Sequence, residues 1–259
     1  MRQVFAVLLC AIFLGGMPPG DGLAGQWYVR GGAGIDWSPD ADFHDQDCGS
    51  KVPAALFGCG TGSDGRALGA YGDFGNLQAF DAAVGLQPQN WLRTDLSLTY
   101  RPEIRYEGQA NFLRVAGGQP VTGDARELAF MLNLFLEMNE LLHLGLERFS
   151  PYLGAGAGLS YNQLGEMTYS FPGQVRHKIS ITPSGYATNI AYMATVGTGV
   201  RLSRKVQLDL SYRYSDLGEI RTDSGNMSMD TLPAGIAIGV TSSSSLRTHG
   251  FMVGLRYNL

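Results

Sequence analysis

The sequence has no means of crossing a membrane as a helix. Past residue 24 no apolar run reaches the roughly 18 residues that a helical span needs. Any insertion into a bilayer must therefore use strands. Charge is scarce as well. Asp, Glu, Lys and Arg supply 16% of the 259 residues, against about 25% in a soluble domain. The net charge of −4 leaves no basic footprint, so no nucleic-acid partner is expected. Cysteines number three and histidines four. His44, Asp45 and Asp47 lie close to Cys48, but no Cys-x-x-Cys spacing occurs. Neither a metal nor a cofactor is expected. What the chain has in excess is glycine, 36 residues, about twice the usual share. Together with 10% aromatics, this suits a sheet protein with one apolar face.

Residues 1–24 read as a secretory signal. Arg2 is the positive start, and residues 4–14 form a short apolar core. The Met17-Pro18-Pro19-Gly20 run breaks that core, and Gly22-Leu23-Ala24 makes a small-x-small cleavage site. An uncleaved anchor helix is the alternative, but the run is too short to span a bilayer. Cleavage removes Cys10 and leaves Cys48 and Cys59 in the polar segment 43–65. In an exported protein the pair predicts a disulfide, with two free thiols as the alternative. The loop it closes is worth about 3 kcal/mol in the chain-entropy model.

The mature part, residues 25–259, alternates with period two. Over residues 91–107, Leu92, Thr94, Leu96, Leu98, Tyr100, Ile104 and Tyr106 share one face. Arg93, Asp95, Ser97, Thr99, Arg101, Glu103, Arg105 and Glu107 share the other. Successive strand side chains point to opposite faces, so one face is apolar and the other densely charged. The pattern recurs over residues 26–37, 75–86, 125–139, 151–161, 188–202, 206–215 and 249–259. Eight strands of this length match tilted membrane strands. The expected fold is all-β: an eight-stranded antiparallel up-and-down transmembrane β-barrel. A soluble sandwich or lipocalin-like barrel is the alternative.

Connections alternate in length. Long ones fall near residues 38–74, 108–124, 162–187 and 221–244, and shorter ones near 87–90, 140–150 and 203–205. Outer-membrane barrels pair long extracellular loops with short periplasmic turns. The expected place is the outer membrane of a Gram-negative bacterium, both termini periplasmic.

Three stretches carry a family likeness: Pro151-Tyr152-Leu153-Gly154-Ala155-Gly156-Ala157-Gly158, Tyr212-Arg213-Tyr214-Ser215-Asp216-Leu217-Gly218, and the closing run from His249 to Leu259. They resemble the fifth, seventh and last strands of the opacity-type family of small outer-membrane proteins, the porin-family surface antigens. The resemblance implies an eight-stranded barrel serving as a surface antigen, adhesin or envelope-stabilising protein. Such barrels commonly end in an aromatic residue. This chain ends in Leu259, with Tyr257 two positions before it.

The charged face should point inward. An eight-stranded lumen is just wide enough to be filled by side chains, and buried charges must be paired. Arg93, Asp95, Arg101, Glu103, Arg105, Glu127, Glu137, Asp209, Arg213 and Arg256 are therefore the expected lumen network, with Arg30, Asp36, Asp81, Glu107 and Arg201 also facing in. A plug is expected; a narrow porin-like channel along the same charges is the alternative. A lipid A-modifying enzyme is a third reading, because some small barrels are hydrolases or acyltransferases. His249, on the last strand beside Thr248, has no Ser-x-His pattern to support it. The leading expectation is a non-enzymatic surface protein, with no catalytic residue assigned. Its barrel sits among outer-membrane lipids and lipopolysaccharide. Its loops meet any host or cell-surface partner, and the barrel is a monomer or part of an envelope assembly. The basic trio Arg176, His177 and Lys178 and the apolar run 232–240 are the notable loop features.

Overall fold

The computed structural model describes residues 25–52, 54–113, 115, 117–173, 178–229, 232–238 and 242–259. The signal reading of residues 1–24 falls outside them, as do Arg176, His177 and residues 239–240. Thirteen strands follow in chain order: β1 (Gln26–Ser38), β2 (Ala41–Asp45), β3 (Gly69–Asp73), β4 (Gly75–Gln89), β5 (Leu92–Asn111), β6 (Gln119–Glu137), β7 (Phe149–Phe171), β8 (Lys178–Ile181), β9 (Gly185–Arg201), β10 (Val206–Arg221), β11 (Gly225–Met229), β12 (Leu232–Ile238) and β13 (Ser242–Asn258). One short helix, α1 (Met138–Leu141), follows β6.

Eight strands form the ring. β1 pairs β4, β4 pairs β5, and the order continues through β6, β7, β9, β10 and β13. β13 returns to β1 from Tyr28↔Asn258 to Trp37↔His249, which closes the barrel. Every pairing is antiparallel, so closure satisfies the backbone with no free edge in the ring. Two strands carry glycine where the facing side chains need room. A Cβ at Gly250 would collide with the Asp36 carboxylate, and one at Gly156 with the Asn133 side chain.

The outer wall is apolar over a band. On β6, Leu128, Phe130, Leu132, Leu134 and Leu136 are all exposed. Eight steps at about 3.4 Å, tilted by about 40°, cover roughly 21 Å along the barrel axis. That is close to the ~25 Å apolar belt of a membrane barrel. Trp27, Trp91, Phe149 and Tyr257 border it at the turn end, and Tyr100, Tyr161 and Tyr192 at the loop end; all seven are exposed.

Beyond the band the long connections do not stay loops. β5 and β6 keep pairing up to Ala110↔Gln119. β7 runs to Phe171 and pairs β8. β2 and β3 pair each other and bridge from β13 to β5. The barrel wall therefore continues past the membrane as β-structure. β11 and β12 extend it from β8, so much of the apolar run 232–240 is strand.

Candidate functional site

The lumen has two storeys. The storey toward the turn end is ionic. Arg93 Nε meets Glu137 Oε1 at 2.9 Å, and Arg256 Nη1 meets the same oxygen at 3.5 Å. Arg256 also reaches Asp209 Oδ2 at 3.5 Å and bonds the Gln207 side chain. The Arg93 guanidinium lies 4.1 Å from the Phe135 ring centre and 4.9 Å from that of Tyr152, so it is sandwiched as well as paired. In the middle, Asp95 accepts from the Tyr28 hydroxyl at 2.9 Å and from Asn133 Nδ2 at 2.7 Å. Arg30 contacts Asp81 at 2.6 Å and Asp95 at 3.4 Å. Next, Arg101 bridges Asp36 and Glu127, each at 2.5 Å, and Arg213 reaches Asp36 at 3.1 Å.

Five guanidinium groups (Arg30, Arg93, Arg101, Arg213, Arg256) thus face six carboxylates (Asp36, Asp81, Asp95, Glu127, Glu137, Asp209). The charge deficit falls most on Asp209. Neither of its carboxylate oxygens has a hydrogen-bond donor among the described residues. Beside Arg30, Asp81, Arg101 and Arg213 a cavity of about 30 Å³ remains, room for about two waters, and a mouth of about 390 Å³ at the turn end reaches in to Glu137 and Arg256.

The second storey is apolar. Phe43, Phe74, Leu77, Ile104, Tyr106, Leu164, Met167, Tyr169, Leu217, Ile220 and Leu246 are buried inside the wall above Arg101. Phe43 packs edge-on against Tyr106 with ring centres 5.0 Å apart, and Phe74 lies 5.6 Å from Tyr106. This core caps the ionic storey.

Glu103 and Arg105 are not in the lumen. Both are exposed on the outer wall, as is Glu107. The cause is a β-bulge: the register on β6 advances two residues from Glu127 to Ala125 while β5 advances three from Arg101 to Ile104. Pro102, which has no N–H for the ladder, sits in it. An extra residue inverts the alternation that follows. Ile104 and Tyr106 therefore turn inward, and the charges turn out, where Arg105 meets Asp124 at 3.5 Å. Arg201 is also exposed, at the turn-end mouth.

The loop end is braced around Cys48 and Cys59, joined as a disulfide with Cα atoms 4.8 Å apart. The Asp45 carboxylate accepts from three successive backbone amides, Leu56, Phe57 and Gly58, at 3.1, 2.8 and 2.9 Å. Asn111 ties the same loop to β5. Its amide donates to Asp64 at 2.8 Å and to the Ala67 carbonyl at 3.0 Å, and its oxygen accepts from Gly69 N at 2.8 Å. The bond from Asn111 first, with one from the Arg66 amide at 3.1 Å, holds the pKa of the Asp64 carboxyl below its ordinary value.

The described histidines are engaged elsewhere. His44 Nδ1 is 3.1 Å from the Leu68 carbonyl. His249 Nδ1 is 2.7 Å from the Tyr212 hydroxyl on the outer wall, where its ring stacks on Trp37. His143 is exposed in the β6–β7 turn.

Known proteins share this architecture. The family model for the outer membrane protein beta-barrel domain matches residues 6–258. Outer membrane protein PagN of Salmonella typhimurium is 24% identical over 170 residues, 64% of each chain. The chain thus spans just under two thirds of that relative's length. Among solved structures, the outer membrane protein OprG from Pseudomonas aeruginosa superposes with a TM-score of 0.51 at 14% identity, over 91% of this chain and 96% of that one. The outer membrane protease OmpT from Escherichia coli gives 0.52 at 10% identity, over 92% and 99%. At such identities the likeness is one of fold alone.

Proposed function

Because this chain belongs to the outer-membrane β-barrel family, we propose that it is a non-enzymatic surface protein, a sealed barrel that anchors an ordered extracellular β-domain whose surface does the binding. The observation that carries this reading is the two-storey filling of the lumen. An ionic network stacked under an apolar core leaves the transmembrane part neither a conduit nor a reaction chamber, while the loop end is built out and cross-braced. A buried ion network of this kind contributes little net stability. Its use is to fill the lumen with groups that water cannot readily displace.

In this reading residues 1–24 are the export signal and 25–259 the barrel. The turn end, with both termini, faces the periplasm, and the loop end faces outward. The barrel wall is solvated by membrane lipid and lipopolysaccharide. Partners on other cells or on host surfaces meet the strand tips and the disulfide loop. A protease role draws no support from His44 or His249, whose Nδ1 atoms face a carbonyl and a phenol, or from His143, exposed in the β6–β7 turn.

The binding claim is tested on cells expressing the full chain. Replacing residues 46–66 with a short glycine–serine linker should abolish attachment to host cells or matrix while leaving the barrel heat-modifiable on gels. Attachment unchanged by that replacement would remove the loop from the binding surface. Orientation is tested by labelling Val52→Cys on intact cells with an impermeant maleimide. Labelling only after lysis would reverse the barrel.

A further inference from the structure

The connection between β6 and β7 is the longest at the turn end, and its composition is unusual for a segment leaving a membrane. It reads Met138-Asn139-Glu140-Leu141-Leu142-His143-Leu144-Gly145-Leu146-Glu147-Arg148. The other turn-end connections are Asn90 and Trp91 between β4 and β5 and the four residues Leu202-Ser203-Arg204-Lys205 between β9 and β10. Leu141, Leu142, Leu144 and Leu146 are 40–59% exposed. Four neighbouring leucines facing solvent form a patch that needs an explanation.

The turn is two-sided. Asn139 and Glu140 line the polar mouth of the barrel together with Arg256 and Gln207. Asn139 also fixes the turn's shape: its amide donates to the Leu146 carbonyl at 3.0 Å and its oxygen accepts from Leu146 N at 2.9 Å. Gly145 and His143 take positive φ, 68° and 53°, which folds the segment back on itself. The polar side is thus held over the mouth, and the leucines are left on the other. The segment leaves the lipid-facing wall just after the exposed Leu136 and rejoins it at the exposed Phe149, its two ends hydrogen-bonded to Trp91 and Arg201 beside the exposed Trp91 and Leu202.

We propose that this turn is an interfacial anchor, its leucines embedded in the lipid leaflet at the turn end. With the orientation above, this is the phospholipid leaflet that faces the periplasm. The occupant of the patch is lipid because the apolar band of the wall runs directly into it, and an apolar surface continuous with a lipid-facing one is solvated by the same phase. Glu147 and Arg148 close the segment as charged residues that reach back to water. The anchor would fix the barrel's depth and tilt from the turn end, opposite the aromatic girdle on the loop side.

The test uses the full barrel reconstituted in phosphatidylethanolamine–phosphatidylglycerol vesicles. An environment-sensitive fluorophore is placed at Leu142→Cys, with Leu132→Cys in the mid-band as the lipid control and Val52→Cys in the disulfide loop as the water control. Quenching by acyl-chain spin labels at position 142 should resemble that at 132, and aqueous iodide should quench it poorly. A label at 142 that behaves like the one at 52 overturns the anchor and makes the patch a docking face for a periplasmic protein. Leu144→Cys repeats the measurement should the first site perturb folding. Vesicle quenching does not depend on which way the barrel sits in a cell. Its failure is therefore distinct from a failure of the orientation, which the intact-cell labelling reports.

Discussion

Asp36 and Asp209 are both buried lumen carboxylates, yet their surroundings make opposite demands. Asp36 takes Arg101 and Arg213 together. Asp36→Ala strands the buried Arg213 guanidinium and leaves Arg101 with Glu127 alone, and should cost about 3–5 kcal/mol, read as a lower urea midpoint for loss of the heat-modifiable form. Asp209 sits 3.5 Å from one guanidinium and accepts no hydrogen bond among the described residues. Asp209→Asn removes the surplus charge at constant shape and should shift stability by less than about 1 kcal/mol. Equal losses at the two sites would mean that charge balance in the lumen is unimportant. Asp64 supplies a pH dependence outside the membrane. Its folded carboxyl is held below the ordinary value by Asn111 and the Arg66 amide. A depressed folded value gives stability that is whole above the unfolded value near pH 4 and fades as pH falls through the folded one. Protection of the amides over residues 62–68, taken relative to their intrinsic exchange rates, should fall on acidification below about pH 4, and Asn111→Ala should flatten that response.

Elements decide how far the period-two pattern can be trusted. On β6 alternation is unbroken from Gln119 to Glu137, and there a simple count assigns every face. Three other strands of the ring break it at one level. β5 bulges after Arg101 against β6, β7 inserts a residue near Gly165 against β6, and β10 bulges between Asp216 and Glu219 against β13. All three lie where the ionic storey gives way to the apolar one. Strict alternation sends Ile104 and Tyr106 to the lipid and Glu103 and Arg105 to the lumen. The bulge reverses both pairs, and only Pro102 hints at it in the sequence. The apolar storey was largely illegible for the same reason: its members come from six strands and the residue between β3 and β4, most of them with the phase shifted or outside the periodic segments. The ring, the ionic core and the position of the cysteines were legible, since each rests on local periodicity or on two residues. Deleting Glu103 removes the extra residue, so Ile104 and Tyr106 keep facing in and Arg105 out; the heat-modifiable barrel should still assemble, and Glu103→Ala should be within ~0.5 kcal/mol of neutral. Replacing Cys48 and Cys59 with Ser should cost about 3 kcal/mol of loop order, seen as faster proteolysis between residues 46 and 66 on a barrel that stays folded.

At the scale of the molecule the two storeys act as one stopper in a closed ring. The wall is satisfied by its ladder, the lower lumen by carboxylate–guanidinium pairs, and the upper lumen by aromatic and aliphatic packing that also supports the β-domain beyond the membrane. In the proposed function the membrane part anchors the chain and the far side carries its specificity. Single-channel recording of the purified barrel in a planar bilayer tests this most directly. The filled lumen predicts a baseline without reproducible unitary steps, whereas sustained, reproducible conductance steps at modest voltage would contradict it.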